Sequence, residues 1–511
     1  MTVATRRQFL GDIGRGALTL GIGVGALDEL GLALALERTD ERLDFGALEG
    51  LVALMQETAP GRLQELLALK LKAGLELRTL IGAAALANAR TFGGHDYVGY
   101  HAAMALAPAY DLSQRIDGPA RALPVLKVIY RNTARMQDVG GRTSEAMHAI
   151  EPAASGDPQE MRAAMLGGDV SSAERTLLKA SQGGLEQAYE ALQPMLAEDI
   201  EVHRIVLAWR AFDTLRFTGE EHAATMLRQI VRFCADQEKN RKNRGRAVPS
   251  LRKILPELVE RHGLTGAKPL GTRAASDADL ESWSQVFFGG TREDAAAQAA
   301  EALGAGYAPD DVGEALTLAA NALLLHDPGR KQAANYGRYV GSVHGASVGV
   351  HASDSARAYR NIVRVVDDES SAANLIVGAY HTAGQSGNVR KDRFPYAESK
   401  PEFAGKSAAE LLRELVPAVE ARDQERAFAI FDLYVEQGGA PEVIVEKLLE
   451  TAVAADGALH AEKYFATATE DFAASRPSFR WRHLLSLARV SASEAGAAAP
   501  GMDAARDLLG V

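Results

Sequence analysis

After residue 40, apolar positions recur at intervals of three and four residues, as in LQELLALKLKAGLELRTLIGAAALANA (Leu63 to Ala89). That spacing puts the apolar side chains on one face of an α-helix, and the strict alternation of a half-buried strand is nearly absent. Alanine and leucine dominate these stretches, so local helix preference agrees with the pattern. Glycine and proline mark the stops, for example Asp157-Pro158 and Asp327-Pro328-Gly329. The pattern predicts an all-α fold.

One arrangement occurs four times: an alanine-rich helix of roughly four turns, a short break, and a histidine that opens the next helix. The copies are LIGAAALANARTFGGH ending at His95, LAWRAFDTLRFTGEEH ending at His222, VGEALTLAANALLLH ending at His326 and VEKLLETAVAADGALH ending at His460. The first apolar residue stands 15, 15, 14 and 15 positions before its histidine. Units of this size cannot cover their own apolar faces, so the expectation is repeated helical units stacked into two lobes. Residues 36–270 are expected to form the N-terminal lobe and 271–511 the C-terminal lobe, with a divide near 236–278, where a basic run, Pro249, Pro256 and GAKPLGTRAASDAD fall. A second polar stretch, GQSGNVRKDRFPYAESKPEFAGK (Gly384 to Lys406), is long enough to be a lid or an insertion.

The chain has 511 residues, 47% hydrophobic and 24% charged, enough to bury one large core or two ordinary ones. Its net charge of −11 argues against a general nucleic-acid binder, since phosphate contacts need clustered positive charge. The one basic run, Lys239 to Arg246, has no interleaved aromatic residue for base stacking and reads as a solvated linker. A single cysteine, Cys234, permits neither an intrachain disulfide nor a thiolate metal cluster. Any metal must then be held by histidine and carboxylate.

The N-terminus reads Thr5-Arg6-Arg7-Gln8-Phe9-Leu10, followed by the glycine-diluted apolar run Gly16 to Leu27 and the small-x-small triplet Ala33-Leu34-Ala35. This resembles a twin-arginine signal over residues 1–35, although Asp28 and Glu29 depart from the uncharged stretch expected before cleavage. The resemblance implies a chain folded before export, with the twin-arginine export machinery as partner and a periplasmic or extracellular location. No other apolar run is long enough to give a stable membrane span.

Twelve histidines are not an excess, so placement matters more than number. His95-Asp96 is followed by His101, and His326-Asp327 by RYVGSVHGASVGVHASDSARAYRNIV. Read as one helix, that stretch puts His344, His351 and Asp354 on one face, with His381 further on in AYHTAG. Gly341, Gly345 and Gly349 would form a stripe beside that face, open to a packed helix or to a bound cofactor or substrate. Two or three imidazoles with one carboxylate suit iron, copper or zinc and leave coordination positions open. His95, Asp96, His101, His326 and Asp327 are candidate catalytic residues, and His344, His351, His381 and Asp354 candidate metal ligands. His148, His203, His262 and His483 fall on no pattern. In SRPSFRWRHLLSLARV, Arg476, Arg480 and Arg482 surround Trp481, either to hold an anionic or conjugated ligand or to staple the C-terminal helix. The chain shows no P-loop, no Gly-x-Gly-x-x-Gly after a strand and no His-Glu-x-x-His motif.

Gly94-His95-Asp96 leading a helix, with His101 beyond it and a partial echo at His326-Asp327, resembles questin-oxidase-like helical proteins. The resemblance covers two short parts of the chain. It implies oxygen-dependent oxidation of an aromatic ketone in a pocket between helices, and carries over neither substrate nor cofactor. The expectation is an exported metal-dependent enzyme, an oxidoreductase acting on a small organic molecule. The alternative is a non-catalytic helical-repeat protein of the cell envelope whose histidines cap helices.

Overall fold

The computed structural model describes residues 42–265, 270–333, 339–343, 347–366, 369–391, 393–394, 396–496 and 498–511. The resemblance at residues 1–35, and the candidates His344 and Gly345, lie outside these. The described residues form an all-α fold: no strand is present, only the isolated bridges Arg273–Tyr307 and Ala455–Ala498. No helix among them is long and apolar enough to cross a membrane.

The chain forms two compact units. One comprises the described residues through Arg252 together with Pro500–Val511, and the other is Lys253–Ala499. The first unit begins with α1 (Glu49–Glu57), α2 (Pro60–Lys72), α3 (Leu77–Phe92), α4 (Tyr97–Ser113) and α5 (Leu123–Asp138). It continues with α6 (Pro158–Gly167), α7 (Val170–Ser181), α8 (Leu185–Leu196), α9 (Val202–Thr218) and α10 (Ala223–Asn243). The boundary falls within α11 (Leu251–Arg261). The second unit then has α12 (Asp277–Gly289), α13 (Arg292–Gly304), α14 (Pro309–His326), α15 (Val348–Val365) and α16 (Glu369–Ala383). After the polar stretch come α17 (Ala408–Glu420), α18 (Gln424–Glu436), α19 (Pro441–Ala454), α20 (His460–Ala474) and α21 (Trp481–Glu494). The last helix, α22 (Met502–Leu509), returns to the first unit and packs on α2 and α5.

Local sequence sets many of these ends. Ser276 with Asp279, Thr291 with Asp294 and Ser407 with Glu410 form reciprocal capping boxes at the starts of α12, α13 and α17. Proline occupies the first position of α2, α6, α14 and α19, where its missing N–H has no intrahelical partner to lose. The basic run is not a linker at its start: α10 continues to Asn243, where Arg241 and Lys242 complement the negative end of the helix dipole. Arg241 pairs there with Glu238, and Lys242 donates to the Leu166 carbonyl.

The four recurring histidines occupy different places at helix ends. His95 precedes α4, His222 is the N-cap of α10, His326 is the last residue of α14, and His460 is the first of α20. The long helix expected through Gly341 is also interrupted. Gly341 turns at φ 88°, and α15 starts at Val348 behind Ser347, whose hydroxyl accepts from the Val350 N–H at 3.4 Å. Gly341 and Gly349 therefore do not lie on one helix. Gly349 has a packing reason instead, since a Cβ there would lie 2.5 Å from Leu324 Cα on α14. At the other end of the same helix pair, a Cβ on Gly313 would lie 2.8 Å from Arg360 Cγ, so α14 and α15 run antiparallel in close contact.

The C-terminal arginines act as staples within the second unit. Arg476 pairs with Asp311 at 2.6 Å and Asp277 at 3.1 Å, and Arg482 with Glu281 at 2.9 Å. Trp481 packs edge-on to Phe472 and Phe431.

Candidate histidine sites

In the first unit, the turn into α4 is built by two glycines. Gly93 closes α3 in the left-handed region, and at Gly94 (φ 83°) a Cβ would meet the Gln229 carbonyl oxygen at 2.2 Å, so only glycine passes there. His95 Nδ1 then pairs with Asp236 of α10. Asp96 is the N-cap of α4: it accepts from the Gly99 N–H at 2.8 Å and pairs with Arg135 of α5 at 2.6 Å. Burial pushes this carboxyl up, but the Arg135 guanidinium and the Gly99 N–H outweigh it and hold Asp96 below the usual carboxylate range. Asp96 is thus fixed as a charged cap.

His101, on the second turn of α4, is 3% exposed, and its ring lies 4.8 Å from that of His203 on the first turn of α9. A nitrogen of each ring lies within 4.8 Å of the other. Tyr97 and Tyr100 flank the pair, with ring centroids 4.4 Å and 5.0 Å from His101. Further along, Arg216 pairs with Asp111 at 2.6 Å and Phe217 packs on Tyr110, so α4 and α9 run parallel and both histidines stand at the N-terminal ends.

The hydrogen bonds fix the tautomer of each ring. His101 Nδ1 lies 2.7 Å from the Tyr97 carbonyl oxygen, which can only accept. Nδ1 therefore carries a proton, and in the neutral imidazole the lone pair is on Nε2. His203 Nδ1 lies 2.6 Å from Glu201 Oε1, the carboxylate–histidine contact that orients metal-ligating imidazoles. Glu201 is also the N-cap of α9; burial pushes its carboxyl up, but His203 and the Arg204 N–H hold it below its ordinary value.

The second unit contains a matching pair. His351, on the first turn of α15, and His460, which opens α20, have ring centroids 5.4 Å apart. Their Nδ1 atoms again face carbonyl oxygens, Ser347 O at 3.1 Å and Ala458 O at 3.2 Å. Asp354, one turn beyond His351, accepts from Thr467 Oγ1 at 2.8 Å, and Arg357 pairs with Asp471 at 3.2 Å. These contacts advance together along both helices, so α15 and α20 also run parallel. Ahead of His460, Ala458 (φ 46°) and Leu459 (φ 66°) are consecutive non-glycine residues in the left-handed region. Such a conformation costs about 1–2 kcal/mol per residue and concentrates where a fold aims a functional side chain.

Other candidates have different surroundings. Asp327 is buried and joins the end of α14 to the start of α15, accepting from Ser347 Oγ and from the Gly329 N–H at 2.8 Å. His326 faces the Arg390 carbonyl at 3.2 Å and the Phe288 ring at 5.0 Å. His381, 4% exposed on α16, lies 3.2 Å from the Gln385 amide nitrogen. Sequence reasoning missed His203, which no local spacing links to His101, and counted His460 in the repeat without naming it as a candidate ligand. No family model, curated protein or solved structure matches this chain.

Proposed function

We propose that this chain is a metal-dependent enzyme, an oxidoreductase acting on a small organic molecule, with the imidazoles of His101, His203, His351 and His460 as metal ligands. The observation that supports this most is the repeated device: in each unit, two histidines open parallel helices with Nδ1 committed to an oxygen. In the neutral imidazole that arrangement leaves the lone pair on Nε2, the form that binds iron, copper or zinc. A bound redox-active ion with open positions supplies electron transfer to or from a substrate, while Tyr97 and Tyr100 offer phenols beside the imidazoles.

The test is metal analysis of protein purified without an affinity tag. The expected result is near-stoichiometric iron, copper or zinc, reduced in His101→Ala, His203→Ala, His351→Ala and His460→Ala proteins. A metal present at 100 times its dissociation constant adds about 2.7 kcal/mol of stability, so metal addition also raises the melting temperature. Sub-stoichiometric metal with no thermal gain overturns the proposal. The same reading includes export by the twin-arginine route. Fractionation of producing cells then finds the protein outside the cytoplasm, and Arg6→Lys with Arg7→Lys retains it inside; an unchanged distribution argues against that route.

A further inference from the structure

Within the second unit, a cavity of about 500 Å³ is bordered by His326, Arg390, Phe394, Arg422, Gln424 and Arg489. That volume suits a small organic ligand. Arg489 is 1% exposed and committed to the fold: it donates to Gln424 Oε1 at 3.0 Å, to the Leu324 carbonyl at 2.5 Å and to the Asp327 carbonyl at 2.8 Å. Its guanidinium stacks on the Phe394 ring at 4.0 Å, forming an aromatic wall.

Arg390 and Arg422 differ from Arg489. Among the described residues, neither side chain has a carboxylate within ion-pair distance. Two of the three acids on the cavity wall are already engaged. Asp327 accepts from Ser347 Oγ and the Gly329 N–H, and Asp423 caps α18 by accepting from the Arg426 N–H at 3.0 Å. Glu425 is the one wall carboxylate with no such partner among the described residues.

Arg422 also occupies an unusual place. The Asp423 N–H bonds to the Ala418 carbonyl and the Arg422 N–H to the Val419 carbonyl, the Schellman closure of α17. The residue at the position of Arg422 takes φ 60°, where glycine is the low-strain choice. Its guanidinium lies 5.5 Å from the Tyr339 ring, and a Cβ on Gly496 would meet Arg422 Nη2 at 2.3 Å. The fold thus carries an arginine where backbone preference favours glycine, and leaves room for its side chain beside a cavity.

We infer that this cavity binds a small aromatic carboxylate, its charge held by Arg390 and Arg422 and its ring against Phe394 and His326. Planar guanidinium groups match a carboxylate through paired N–H donors, and the cavity supplies rings for the rest of the molecule. The inference does not depend on a bound metal.

Benzoate is the probe, with benzamide as its neutral counterpart and inorganic phosphate as an anion without a ring. Thermal melts and calorimetry of the full chain are expected to show stabilisation by benzoate, less by phosphate and none by benzamide. Arg390→Gln changes an exposed side chain, and Arg422→Gly removes the guanidinium while easing the backbone, so both proteins are expected to stay folded by circular dichroism. Each is expected to weaken benzoate binding about tenfold or more, the effect of losing a charged hydrogen-bond donor. Glu425→Gln is expected to strengthen it by removing an opposing charge. The inference is overturned if benzoate gives no shift, if benzamide or phosphate matches it, or if its affinity persists in both folded arginine variants.

Discussion

His483 provides a sharp test of the electrostatics of the second unit. It lies on the first turn of α21, 2% exposed, with Nε2 3.3 Å from Ser475 Oγ and Nδ1 3.9 Å from Asp471 Oδ2. Burial, reinforced by Arg360, Arg357 and Arg482, pushes the imidazole down from 6.5 to about 3. Burial pushes the neighbouring Asp471 carboxyl up from 3.8 to about 6, against the opposing pull of Arg357 and Arg360. The two groups act on acid stability with opposite signs. For His483 the unfolded chain takes a proton near 6.5 and the folded chain only near 3, so its contribution is complete above pH 6.5 and lost as pH falls towards 3. At about 1.4 kcal/mol per pH unit, that loss is about 5 kcal/mol. For Asp471 the folded chain takes the proton first, so its contribution is complete below pH 3.8 and lost as pH rises through about 6, an opposite change of about 3 kcal/mol. Their sum is a net acid loss of about 2 kcal/mol, with a near-plateau between pH 6 and pH 3.8 where the two cancel. Urea unfolding across pH 7 to 3 measures this in a Trp209→Phe background, where fluorescence reports Trp283 and Trp481 of the second unit. Relative to that background, His483→Gln should flatten the acid loss and Asp471→Asn should deepen it. An unchanged acid profile in His483→Gln, or a shallower one in Asp471→Asn, refutes the reasoning.

Three further changes test the packing and the caps. Gly349→Ala gains about 0.5–1 kcal/mol of helix preference but forces its methyl against Leu324, where overpacking costs about 1–3 kcal/mol, so a lower urea midpoint is expected. Asp96→Ala should lower first-unit stability by about 1 kcal/mol or more through loss of the α4 cap, whereas Asp96→Asn keeps the cap and loses only the Arg135 charge pairing. Equal losses in the two variants would contradict that division. Ala458→Gly relieves a left-handed alanine, so thermal melts should show stability unchanged or raised by up to about 1 kcal/mol, where a helix-interior Ala→Gly lowers it.

The helices were legible because alanine and leucine spacing, proline at first positions and Ser/Thr capping boxes all point the same way. Helix α4 could be read nearly whole from Gly93, Gly94 and Asp96. Around Gly341 the same logic failed. Glycines four apart fit a helix face, but Gly341 takes a backbone conformation that ends regular structure, and Ser347 supplies a new cap. The histidine pairs were half legible. His101 and His351 stand out beside Asp96 and Asp354, yet their neighbours His203 and His460 come from helices about 100 residues away, and only tertiary packing brings them near. Arg422 gave no sign either, because its strain exists only once the chain has turned out of α17.

The return of α22 to the first unit makes the 253–499 segment an insertion within it. Helices α2 and α5 wait for a partner made much later, since Gly501 sits against Gln64 and Tyr130. During synthesis the earlier-made unit is therefore finished later, and trimming the final dozen residues injures the part of the molecule that begins at its front.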